Sequence, residues 1–150
     1  MARQTAKRQN IDRSAIQARL ADALKFLEAA QPFVEDDSVS SWKVAGSNAV
    51  NAGIAASDVI CGVLLGECSR SGNHNDAVAL LVEATQPDAA PRRHLTALLA
   101  DKSNYQYGTA GVRQDAARAL VEHAARNWLR RQSVARSDNP AWGLTAKLSS

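Results

Sequence analysis

Asn48–Val63 reads NAVNAGIAASDVICGV. Ala dominates it, and Ala is the best helix former. Almost no large side chain appears before Val59. The stretch therefore reads as a helix whose backbone neighbours can approach closely. Ala45, Gly46, Ala49, Ala52, Gly53, Ala56 and Ser57 supply that small surface. It fits a neighbouring helix of the same chain or the same helix of a second subunit. Positions 44, 48, 51, 55, 58 and 62 share a face by their 3-4 spacing. That face carries Asn48, Asn51 and Asp58. Two readings of the polar stripe stand. It lines a groove and orients a ligand, or its members hydrogen-bond across a packed interface, because buried polar groups need partners. In the second reading Asp58 seeks an Arg or a backbone N–H.

Outward from this helix, the chain of 150 residues fits one domain with its own core. Apolar residues make up 45%, so wholesale disorder does not fit, and aromatics only 5%, which suits packed helices better than sheets. No apolar run near membrane-spanning length lacks a charge, and no signal-peptide pattern opens the chain. The expectation is a cytoplasmic protein that does not enter a membrane.

Helical spacing predicts a first helix carrying Ile16, Leu20, Ala23, Leu24 and Leu27, capped by Asn10 and ended by Pro32. The second spans about Ser41–Cys68, with Ser38 or Ser40 as cap. Gly72 suits a left-handed turn, and Asn73 with Asp76 resembles a capping box for a third helix over Asp76–Ala84. A fourth runs from Arg92 to Lys102. SNYQYGTAG reads as a loop, and a fifth helix spans Ala110–Arg136 with a stripe of Val112, Ala116, Leu120, Val121, Ala124 and Trp128. No stretch alternates with period two over strand length. The fold class is thus all-α, an up-and-down bundle of four to five helices over residues 10–136. A basic tail (1–9) precedes it, and a C-terminal tail (137–150) carries Trp142.

Net charge is +3 and uneven: the first 13 residues carry +3 and residues 110–136 carry +4. This permits contact with nucleic acid or an acidic partner. Cys61 and Cys68, seven apart on the expected second helix, stand about 10 Å apart along its axis. They should not bridge, and no Cys/His spacing forms a metal site. No Gly-rich phosphate loop or nucleophile elbow is present, and no cofactor is expected.

Candidate site residues follow from chemistry. His74 after Arg70 can serve acid–base work on a phosphodiester, or simply flank a helix cap. Lys102, Tyr105 and Tyr107 can hold a phosphate, or the tyrosines can seal the bundle. Arg118 and His123 lie five apart, about 140° around a helix, and do not converge. Glu122 is placed to pair with Arg118 and Arg126 instead.

The order of these segments resembles the HEPN superfamily over residues 11–132. An Asn/Ala-rich second helix is followed by SGNHNDAV, then LTALLADKSNYQYG, then the long helix DAARALVEHAARNWLRR. The resemblance implies a small up-and-down bundle that dimerises. Active relatives are ribonucleases, often toxins beside a small nucleotidyltransferase, with an Arg-to-His motif at the dimer interface. Here KSNYQY stands in that place: Lys102 replaces the Arg, and Tyr105 or Tyr107 the His. RALVEH matches the spacing but lacks the polar residue after Arg118. What the resemblance implies is a homodimer with a binding or regulatory role. The alternative is an RNA-cleaving toxin or toxin–antitoxin component with a nucleotidyltransferase partner, acting on RNA or a nucleotide without a metal.

Overall fold

The computed structural model describes residues 8–108 and 111–138, with side chains through residue 126. Its elements run β1 (Arg8–Asn10), α1 (Arg13–Glu35), α2 (Val39–Leu65), β2 (Glu67–Ser69), α3 (His74–Thr85), α4 (Ala90–Ala100), α5 (Lys102–Tyr107) and α6 (Gln114–Asp138). The fold is an all-α bundle: among the described residues it has five longer helices, the six-residue α5 and one small strand pair.

Contacts run in opposite chain order along α1 and α2. Ile16 and Leu20 pack with Val59, Ala23 with Ala55 and Ala56, and Leu27 with Ala49 and Val50. The two helices are therefore antiparallel. The same logic sets α4 against α2, since Leu95 meets Ile60 while Leu98 meets Gly53. Helix α6 starts beside the end of α1, where Gln114 Nε2 donates to the Val34 carbonyl. So α1, α2, α4 and α6 alternate in direction.

Helix α2 is the axis. Thirteen of its 27 residues are buried, and α1, α3, α4, α5 and α6 all pack on it. Among the described residues it is the one helix long and apolar enough to cross a membrane, and most of that length is covered by the other helices. Ser38 caps it, accepting from the Ser41 N–H at 3.1 Å. Gly66 ends it with φ +70°, the left-handed region that Gly enters without steric cost.

Several sequence-based boundaries are corrected. Asp12, not Asn10, caps α1 through the Ala15 N–H at 2.8 Å. Pro32 lies inside α1 rather than ending it. It sits on the exposed side, where a carbonyl that loses its N–H partner can turn to water. The left-handed glycine is Gly66, not Gly72, so α2 stops three residues before Cys68. Cys68 falls in β2, which pairs antiparallel with β1. Arg8, Gln9 and Asn10 thus belong to a strand, and Arg8 is held by Glu67 and Glu83 at 3.5 and 2.6 Å. Residues 102–107, expected as loop, form α5. On α6, Ala117 takes the buried place expected for Ala116. The side chain of Trp128 and all of Trp142 lie outside the described residues.

Two glycines of α2 are fixed by close approach. A Cβ on Gly46 would overlap the ring of Tyr105, and one on Gly53 would overlap Leu98. Helix propensity alone favours Ala over Gly by roughly 1 kcal/mol. Overpacking costs about 1–3 kcal/mol and outweighs it. Gly46→Ala, against a rigid ring, is therefore expected to destabilise the protein by ~1–2 kcal/mol in urea denaturation, and Gly53→Ala by less, because only a terminal methyl of Leu98 must move. Gly72→Ala, where a Cβ meets nothing within 4 Å, should change stability by under about 0.5 kcal/mol.

Candidate functional site

The polar stripe of α2 divides once folded. Asp58 is 18% exposed and meets Arg19 of α1, which donates Nε and Nη2 to Oδ2 at 3.0 and 2.8 Å. Arg19 also reaches Asp22 at 3.2 Å. Asp58 is thus satisfied within one subunit, as the interface reading requires. Asn48 and Asn51 are half-buried, and neither is hydrogen-bonded to Asp58, Lys102 or a tyrosine. Beside Asp58, a cavity of about 10 Å³ is lined by Ser57, Cys61 and Ser69 among others. That is room for one water at most. Ser69 Oγ is buried there without a hydrogen-bond partner. Cys61 is free, and burial, reinforced by Asp58, pushes its thiol up to about 12. It is an inert core thiol at neutral pH.

The structure sorts the sequence-selected residues into separate pairs. His74 opens α3, where Asn73 caps by accepting the Asn75 N–H at 3.0 Å. Asp76 does not close a capping box; its carboxylate accepts from Ser71 Oγ at 2.6 Å. Lys102 opens α5, and its Nζ stands 2.9 Å from His74 Nε2. A lysine ammonium only donates, so this imidazole accepts and is neutral. Desolvation and the Lys102 charge both lower the His74 pKa. These two candidates converge. Tyr105 does not join them: it is 4% exposed and packs on α2 at Gly46. Burial raises its phenol pKa. Tyr107 points to solvent at 81% exposure.

Arg118 and His123 part company, as their spacing predicts. Arg118 reaches Glu35 of α1 at 3.3 Å rather than the expected Glu122. His123 turns to α4 and meets His94, Nδ1 to Nδ1 at 2.9 Å, with ring centroids 5.2 Å apart. Sequence reasoning passed over His94. It stands in a basic, polar run, PRRHLT, and its partner lies 29 residues away. The available signal was that the half-buried fourth helix carries one of only three histidines. Among the described residues, no cluster of three or more His, Cys, Asp or Glu could hold a metal ion.

No protein-family model matches the chain, and no curated protein matches it.

Asp58 offers a test of the packing. Burial raises its pKa above 3.8 despite Arg19. The fold therefore favours the protonated acid, and this group's contribution falls as pH rises from about 3.8 through the raised folded value. Arg19→Ala should cost about 1–3 kcal/mol at neutral pH, because it strips the carboxylate of its partner. The loss should shrink toward acid, where the acid is neutral. Urea midpoints across pH check this; an equal loss at all pH values would contradict it.

Proposed function

We propose that the chain is a HEPN-like bundle that works as a homodimer in a binding or regulatory role rather than as a catalyst. The observation that supports the dimer is an apolar end of the bundle. Phe33 on the last turn of α1, Val39 and Val44 on the first turns of α2, and Tyr107 at the end of α5 are all exposed large hydrophobics. Lys43 Nζ donates to the Gly108 carbonyl, which draws the end of α5 onto the start of α2. Exposed large apolar side chains at one end of a bundle suit an interaction site, and a two-fold dimer would pair that end with its own copy. The non-catalytic role rests on how the candidate groups are engaged. Tyr105 is in the core, Asp58 is paired, Arg118 serves α1, and His123 is bound to His94. The resemblance adds a small nucleotidyltransferase as partner, and the expected setting is the cytoplasm. The free, buried Cys61 and Cys68 fit a reducing compartment.

Sedimentation equilibrium tests the dimer. Wild-type protein should be dimeric at micromolar concentration, and Val44→Asp with Tyr107→Asp should make it monomeric. Both positions are exposed, so urea stability of the monomer should move by under about 0.5 kcal/mol each. A wild-type monomer at that concentration would refute the reading.

A second reading, RNA cleavage, draws on one observation: the neutral His74 imidazole beside Lys102. It offers a base next to a phosphate-binding cation. If purified protein cleaves RNA without metal, His74→Ala should lower the rate by about 10²-fold or more. Undiminished cleavage in that variant would remove His74 from the chemistry.

A further inference from the structure

The α4–α6 seam carries a group of basic side chains that the proposed function does not use. His94 and His123 meet there, with Arg93 beside the first and Arg126 one turn beyond the second. Both arginines are exposed, and among the described residues neither enters an ion pair. The imidazoles are half-buried.

The ring geometry restricts what this pair can do. Two rings that meet nitrogen to nitrogen along their own axes give the observed 2.9 Å contact together with the 5.2 Å centroid separation. Such rings share a proton, Nδ1–H to Nδ1. They do not converge on a common point as two ligands of one metal ion must. A third donor is also missing among the described residues, and the flanking arginines repel a cation. In the neutral pair one ring donates and the other accepts. Adding one proton keeps this bond and leaves both Nε2 atoms as outward N–H donors. Adding a second proton breaks it.

We infer that the α4–α6 seam is a proton-linked oxyanion site, in which a phosphate-class group sits against Arg93 and Arg126 and takes a hydrogen bond from an imidazole Nε2–H of the His94–His123 pair. The site lies within one subunit and does not rest on the dimer. Its charge argument is direct. The charges that reach His94 come from its own helix, through Arg93, and from α6, through His123 and Arg126; α2 and α3, which also pack on α4, add none. Among the described residues no carboxylate offsets them. Desolvation first, then His123, Arg126 and Arg93, lower the pKa of His94. A bound oxyanion reverses the electrostatic part and favours the protonated pair. Arginine forks fit the planar array of phosphate oxygens, and the anion's source is either inorganic phosphate or the phosphate of a small ester.

The test follows His94 and His123 ring resonances by NMR from about pH 5 to about pH 8. Sulfate is the first probe, because it keeps its charge across this range, with chloride at equal ionic strength as reference. Sulfate should raise the titration midpoint of His94 by roughly one pH unit. By linkage it should bind about tenfold tighter to the protonated pair than to the neutral one. Arg93→Gln combined with Arg126→Gln should abolish the shift and leave the fold intact, as both side chains are exposed. Inorganic phosphate and adenosine monophosphate then separate the sources: equal responses assign the free anion, and a stronger nucleotide response assigns the ester. Equal midpoints in sulfate and chloride would overturn the site. So would a response to zinc or to an RNA oligomer with none to sulfate.

Discussion

Everything in this molecule is arranged around how closely other helices approach α2. Its surface is Gly, Ala and Ser where its neighbours cross, so Tyr105 of α5 and Leu98 of α4 reach its backbone. Dispersion contacts of this kind are individually small and fall away steeply with distance. A helix with thirteen buried positions sums many of them. The same closeness makes α2 intolerant of added volume and of unpaired charge. Asp58 is the one acid along it, and it survives there because α1 brings Arg19 to the same level. Burial still outweighs the arginine in setting its proton affinity. The pair therefore reads as a means of seating α1 against α2 rather than as a source of stability.

Seating α4 and α5 on α2 decides where the histidines meet their partners. Leu98 against Gly53 and Tyr105 against Gly46 fix both elements from the inside. Their polar margins then face outward toward α3 and α6, where Lys102 finds His74 and His94 finds His123. The small residues in α2 thus determine pairings between side chains that never touch it. A volume change at Gly53 would be felt at the imidazole pair through α4.

The helical content and the close-packing role of Asn48–Val63 were legible because both rest on local chemistry: Ala content, helical spacing and the scarcity of large side chains. What escaped reading depends on partners far along the chain. Arg8–Asn10 pairs with Glu67–Ser69, and three residues are too few for alternation to show. Pro32 is compatible with a helix interior only because that side of α1 faces water. The α5 helix is too short for a periodic signal and is held by Tyr105 in the core. Of the site residues, the divergence of Arg118 and His123 followed from helix geometry alone. The meeting of His94 with His123 did not, because it depends on the crossing of two helices joined through α5.

The separation of the two surfaces follows from the same axis. Helix α6 begins at the apolar end, where Gln114 is bonded to Val34. His123 lies nine residues further on, which places it about 14 Å down the helix. Tyr107 and Val44 lie at the start of that length, and Arg126 lies beyond its end. A second subunit covering the apolar end would leave the α4–α6 seam open to solvent. The imidazole pair would then answer to protons and anions in monomer and dimer alike. Helix α6 joins the two directly, and its buried Ala117 and Leu120 pack on α2 between them.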